Sequence, residues 1–345
     1  MERMKPLASA LTVCLLLGMH GIANAVPGDG LYSQPGRLVS TSDGARLNVY
    51  CMGSGSPVVI FDAAEADWSP AWATVQPQVA KWTRACTYDR AGLGFSAPGP
   101  MPRTAERFAG ELHSALHNAG IPGPYILVGH ATGAYSVRAF VDQYLGEVSG
   151  LVLIEGEARD VETSEDLRQL WTGINARNLA ELKLCRQAVA AGESLPLRNP
   201  PSDHPAWACL DYFFRGLPEA QFSPALNAKL LELASTSVAM YDALISGVES
   251  RSVDDEYLRR HRKSLGSRPL RLITADHHIT DSPGTKPERH LEHERFNQQR
   301  KLFQSRLLSL SSNARQVFTQ TGPYVQLDAP DLVLDVIREV YDQSR

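Results

Sequence analysis

The chain has 345 residues, of which 43% are hydrophobic, and a formal net charge of −4. That apolar content is ample for a large core, and the slight acidity removes any general electrostatic reason to bind nucleic acid or an acidic membrane. Basic residues are scattered except at Arg259-Arg260-His261-Arg262-Lys263, which reads as a solvated helix end.

Arg3 and Lys5 open the chain, an apolar run covers 7–17, and Ala23-Asn24-Ala25 follows. This is the form of a cleavable export signal. The run is short for a bilayer span, and Cys14 lies inside it, not at its end, which argues against a lipoprotein anchor. Residues 1–25 are expected to be removed after Ala25, leaving a periplasmic or secreted protein with no membrane span. Four cysteines then remain: Cys51, Cys86, Cys185 and Cys209. An even number in an oxidising compartment suggests two disulfides, with three connectivities open, against the alternative of buried free thiols.

Segments 37–42 and 46–51 alternate around Asp43-Gly44 and predict a hairpin. Apolar runs at 58–61 and 85–88 predict central strands. Thr104 predicts the cap of a helix running to about Ala119, with Gly120 at its exit. Then come a strand at 125–128, a helix from Ala134, and a strand at 151–154. Apolar strands alternating with helices imply a mostly parallel sheet covered on both faces. From 157 to 268 the pattern becomes helical with no clear strand, which predicts an insertion. Strand character returns at 270–274 and 315–318, and an amphipathic helix with Leu332, Val333, Val336 and Val340 closes the chain.

The run Val128-Gly129-His130-Ala131-Thr132-Gly133 stands between a strand and a helix. It has the G-x-S-x-G form of a nucleophile elbow with Ala131 in place of the serine. Tyr88-Asp89-Arg90-Ala91-Gly92-Leu93-Gly94-Phe95-Ser96 is similar to a D-R-x-G-x-G-x-S turn, and Thr321-Gly322-Pro323-Tyr324-Val325-Gln326-Leu327-Asp328 resembles a G-H-x-x-x-x-D segment. With the strand at 57–62 and its loop, these segments resemble the α/β-hydrolase superfamily over residues 37–343. The resemblance implies an α/β fold, its core formed by 26–156 and 269–345, with 157–268 as a helical cap. It also implies that Cys51 lies beside Cys86 on neighbouring strands, leaving Cys185 with Cys209 inside the cap.

A serine-hydrolase triad needs a nucleophile, a base and an orienting acid. The resemblance places Ala131 at the nucleophile, Pro323 at the histidine and Asp276 at the acid, with Glu155 as an alternative acid position. It assigns the oxyanion-type backbone to Ala64 or Glu65 together with Thr132. Glu65 is expected to point outward, the Thr132 side chain to turn away from the attack position, and His130 to pack beside its strand. His277, His278, His290 and His293 read as solvated residues before a metal pair, so no metal or organic cofactor is expected. The expectation is a protein that is not catalytic as a serine hydrolase, with a small apolar or ester-like ligand, or an unknown protein partner, in the former active-site pocket. The alternative is a hydrolase, lyase or oxygenase-type enzyme on the same scaffold that draws a base from Asp276, Glu155, Glu65 or His130.

Overall fold

A computed structural model describes residues 28–161, 165–193, 209, 222–276 and 287–345. The export segment, His277 and His278 lie outside the described residues, as do the side chains of His290 and His293. Eight strands form one sheet in the order β1-β2-β4-β3-β5-β6-β7-β8. The strands are β1 Arg37–Ser40, β2 Arg46–Met52, β3 Val58–Asp62, β4 Ala85–Asp89, β5 Tyr125–His130, β6 Val148–Ile154, β7 Leu270–Ala275 and β8 Ala314–Thr319. The β1–β2 and β2–β4 pairs are antiparallel, and every later pair is parallel.

Central strands read as unbroken apolar runs because both faces are covered. In β3, Val58 and Ile60 enter the core under the helices Ala105–Asn118 and Gly133–Tyr144. Val59 and Phe61 enter the opposite core with Trp72, Val336 and Ile337. Side chains alternate across a strand, so adjacent residues supply different layers. In chain order the helices are α1 Gln76–Val79, α2 Ala105–Asn118, α3 Gly133–Tyr144, α4 Glu165–Ala190, α5 Pro224–Thr236, α6 Val238–Glu249, α7 Arg251–Arg260, α8 Pro287–Ser305, α9 Val325–Asp328 and α10 Pro330–Gln343. Thr104 caps α2, its hydroxyl accepting from the Arg107 amide at 3.2 Å, and Gly120 leaves that helix with φ +68°.

Helices α4 to α7 fall between β6 and β7 and carry a core of their own. Leu182, Leu226, Leu230, Met240 and Tyr241 pack there with Trp68 and Leu93 from the sheet side. Cys51 and Cys86 are opposed in the β2–β4 register and bonded. Cys185, on α4, is bonded to Cys209. No described helix is long and apolar enough to cross a membrane.

Candidate functional site

The end of β5 turns into α3 through Ala131, which has φ +49°. A left-handed backbone is unfavourable for a residue with a Cβ and persists only where its surroundings hold it. Here the Ala131 amide donates to Ile154 O at 2.9 Å, and its carbonyl accepts from Ala134 N and Glu157 N, each at 3.1 Å. The flanking glycines are there for room. A Cβ on Gly133 would stand 2.7 Å from the carbonyl oxygens of Asp62 and Ala63, and one on Gly129 would stand 2.7 Å from Val137. The turn is thus an elbow in backbone terms, and its central side chain is a methyl group.

Pro323 lies beside the elbow but faces it with a backbone oxygen. His130 Nε2 donates to Pro323 O at 3.0 Å, and the Gln326 side-chain amide donates to His130 Nδ1 at 3.2 Å. Both ring nitrogens are therefore engaged, with the proton on Nε2. The imidazole is 1% exposed and meets Tyr324 edge-on at 5.1 Å. His130 is a packed residue of the elbow's underside.

Asp276 follows β7, and its carboxylate is 2.7 Å from Lys301 Nζ. Glu155 follows β6 with φ +52° and is 1% exposed. It accepts from Ala275 N at 2.6 Å and from Arg300 Nη1 at 2.5 Å, so it ties α8 to the sheet end.

The loop after β3 departs from expectation. Glu65 lines the interior, where it pairs with Arg251. The cause is the cap: α7 brings a buried guanidinium over the loop, and the carboxylate turns to meet it. Ala64 is bound through its carbonyl, which accepts from Arg90, as does Ala63 O at 2.8 Å. Thr132 is 6% exposed, and its hydroxyl has no partner among the described residues. It lines a cavity of about 30 Å³ that Ala131 does not line. Arg90, Arg103 and Arg251 bound that space. Arg103 is fully buried and bidentate to Glu111, with both contacts at 2.6 Å. The guanidiniums of Arg90 and Arg103 both stand over the Phe108 ring, 5.3 and 4.8 Å from its centre. A space of this size suits one or two waters.

A larger cavity of about 290 Å³ opens to one side, beyond the ends of β6 and β7. Its floor includes Glu155 and Glu157, α4 supplies Trp171 and Asn178, and α8 supplies Phe296 and Phe303. Glu65 lines both cavities and forms the wall between them. No group of three His, Cys, Asp or Glu among the described residues is disposed to hold a metal.

No protein-family model matches the chain. A Gibberella zeae protein named AB hydrolase superfamily protein is 24% identical over 302 residues, 82% of this chain and 86% of that protein. The chain belongs to the α/β-hydrolase superfamily. Two uncharacterized relatives match shorter stretches. One, from Schizosaccharomyces pombe, is 29% identical over 170 residues, 41% of this chain and 31% of its own. The other, YqjL of Bacillus subtilis, is 29% identical over 116 residues, 33% and 46% of the two chains. The chain therefore spans less than half the length of either. Among solved structures, the epoxide hydrolase CorEH superposes with a TM-score of 0.60 at 15% identity, covering 90% of this chain and 98% of that one. A thermophilic esterase from Thermogutta terrifontis gives 0.53 at 17% identity over 90% and 99%. These structural likenesses concern fold.

Sequence reasoning passed over several buried charges in this α/β-hydrolase. Asp67, in the loop after β3, is pushed up to about 7 by burial, opposed by its hydrogen bond with Tyr324 and the charge of Arg90. Asp254, on α7, is likewise raised to about 7 by burial, with Arg251 acting against the shift. Arg103, Arg251 and Arg300 are buried guanidiniums in loops and helices. Arg251 and Arg300 stand among polar neighbours (Ser250 and Ser252, Gln299 and Lys301) and Arg103 beside Pro102 and Thr104, so local pattern signals neither their burial nor their partners.

Proposed function

We propose that this α/β-hydrolase superfamily member does not act as a serine hydrolase and binds a small molecule in the cavity beneath its helical insertion. The observation that carries this reading is the elbow itself: a left-handed turn built to present a side chain, occupied by Ala131, with Pro323 and not histidine beside it. Removing the serine or the histidine of a subtilisin-type triad alone lowers kcat by about 10⁶, equivalent to about 8 kcal/mol of barrier. His130 offers no substitute base, since both of its nitrogens are engaged beneath the turn. The decisive experiment is Ala131→Ser in the purified, disulfide-bonded protein, assayed with aryl esters of several acyl lengths. The expected result is no turnover above the parent protein. Restored esterase activity would show that a base is present and would overturn the reading.

The reading includes export. The basic start, short apolar run and Ala23-Asn24-Ala25 support it, as does the presence of two disulfides. N-terminal sequencing of the native protein is expected to begin at Val26, and an intact Met1 terminus would remove this part.

A second reading, an enzyme with a non-standard base, is favoured by Asp67. A buried carboxyl raised to about 7 has the value a general base wants near neutral pH. Its side chain is 2% exposed, so substrate access requires the loop to move. Any activity found should vanish in Asp67→Asn if this second reading is right, and its survival would exclude Asp67.

A further inference from the structure

The structure assigns a role to the N-terminal turn Asp29–Ser33: it is a detachable strap that holds the cap helix α5 on the core, and its release lifts α5 from the apolar bed beneath. This goes beyond the binding reading above and does not depend on it.

Helix α5 meets this turn more closely than it meets any other described element. Two side chains carry the junction. The buried Asp29 carboxylate accepts from the Ser223 amide at 2.6 Å, where the chain enters α5. Helix α5 has no acidic residue in its own first turn, so Asp29 supplies the negative charge that a helix N-terminus favours. Tyr32 is buried in the same core as Leu226, Leu230 and Ala234 of α5. Its hydroxyl donates to Gln76 Oε1 at 2.6 Å, and the Gln76 amide donates to Tyr50 O and Ala85 O at 2.9 and 3.0 Å. The Tyr32 ring meets Tyr50 edge-on at 5.4 Å. Asp29 thus grips the cap, and Tyr32 grips both the cap and the sheet.

The rest of the cap is fastened from within the fold. On α7, Arg251 pairs with Glu65, Asp254 accepts from the Ala105 amide at 2.8 Å, and Tyr257 donates to Asp142 at 2.9 Å. On α6, the Ser246 hydroxyl accepts from the Arg103 amide at 3.0 Å. Helix α4 packs along α6 and is bonded through Cys185. None of these groups lies on α5.

The strap is the weaker fastening. It stands outside the sheet, whose first strand begins at Arg37. Its own backbone bonds, Leu31 N to Gly28 O and Gln34 N to Leu31 O, are both long at 3.4 Å. Segments with few backbone hydrogen bonds open at a lower free energy than core strands. With the turn unseated, α5 loses the Asp29 charge and its packing against Tyr32. A helix of 13 residues is marginal without such packing. Ser237, with φ −96° and ψ 96°, joins α5 to α6 and serves as the hinge. The bed left open comprises Tyr50, Trp68 and Leu93.

The test is peptide-resolved hydrogen exchange on the full disulfide-bonded protein at neutral pH. Thermal melting checks the fold, and the apolar dye ANS probes the bed. The variants are Tyr32→Ala, Asp29→Asn and, as a control on the exposed side of the same turn, Leu31→Ala. Exchange across 224–236 is expected to speed about tenfold in Tyr32→Ala and by a smaller factor in Asp29→Asn. Helices α6 and α7 and the central strands should stay at the parent rate, with dye binding increased. Leu31→Ala should match the parent throughout. Should Tyr32→Ala fail to fold, Asp29→Asn carries the same comparison. If the folded variants exchange as slowly as the parent across 224–236, the turn does not hold α5. If exchange rises alike in α5, α7 and β5, these side chains support the whole fold and the strap is overturned. If α5 speeds while dye binding stays at the parent level, the helix frays in place and the lifting is overturned.

Discussion

The two cavities under the cap differ in what fills them. At the elbow, where a serine hydrolase would hold its ester, about 30 Å³ remains among Arg90, Arg103 and Arg251. At the ends of β6 and β7, about 290 Å³ remains against aromatic rings. The first region is occupied by buried ion pairs, of which Glu65–Arg251 joins the core to the cap. The second is kept open because Glu155, Glu157 and Glu65 each hold an arginine back against the wall. Charge that closes one space props the other open, and the Glu65–Arg251 pair divides them.

The largest expected effect comes from breaking the closed region. Arg103→Met leaves the buried Glu111 carboxylate without its partner, and loss of one member of such a pair costs about 3–5 kcal/mol. Urea denaturation should show that drop. A loss below about 1 kcal/mol would mean that Arg103 does not anchor the elbow region. The Cys51–Cys86 bond comes next. It closes a loop of 35 residues, for which chain entropy gives about 3–4 kcal/mol. A Cys51→Ser/Cys86→Ser double variant should melt well below the parent, and an unchanged melting temperature would show that the bond does not constrain the fold.

Asp67 gives the comparison a pH axis. Its folded-state pKa is raised, so between about 4 and 7 the native state holds a proton that the unfolded state has released. Its contribution to stability is present at low pH and falls as pH rises through that window. Asp67→Asn should therefore gain stability relative to the parent at pH 8 compared with pH 5, measured by denaturant midpoints. An unchanged difference would show that Asp67 is already ionised in the fold. The smallest effect is at the helix packed beneath the closed region: Thr104→Ala should cost about 1 kcal/mol through the lost α2 cap.

Much of the fold was legible because its signals are local. A strand covered on both faces must be apolar throughout, so 58–61, 85–88 and 125–128 announced themselves. Thr104 and Gly120 marked their helix because capping involves residues only a few positions apart. The elbow was legible for the same reason, since its glycines answer to clashes with the turn and the adjoining strand end. Glu65 was misjudged as outward because its partner, Arg251, lies 186 positions away. The central role of Arg300 was invisible for a like reason, as its carboxylate partner is 145 positions distant.

The sequence by itself determined the layered α/β scaffold, the insertion between the sixth and seventh strands, and the missing hydroxyl at Ala131. These follow from periodicity, turn chemistry and residue identity, which short range decides. Only the tertiary structure decided which groups hold His130 beneath the turn, that the space at the elbow is filled, and that the larger cavity lies beside it. Those outcomes depend on which buried charge meets which, and opposite charges pair through space without regard to their distance along the chain.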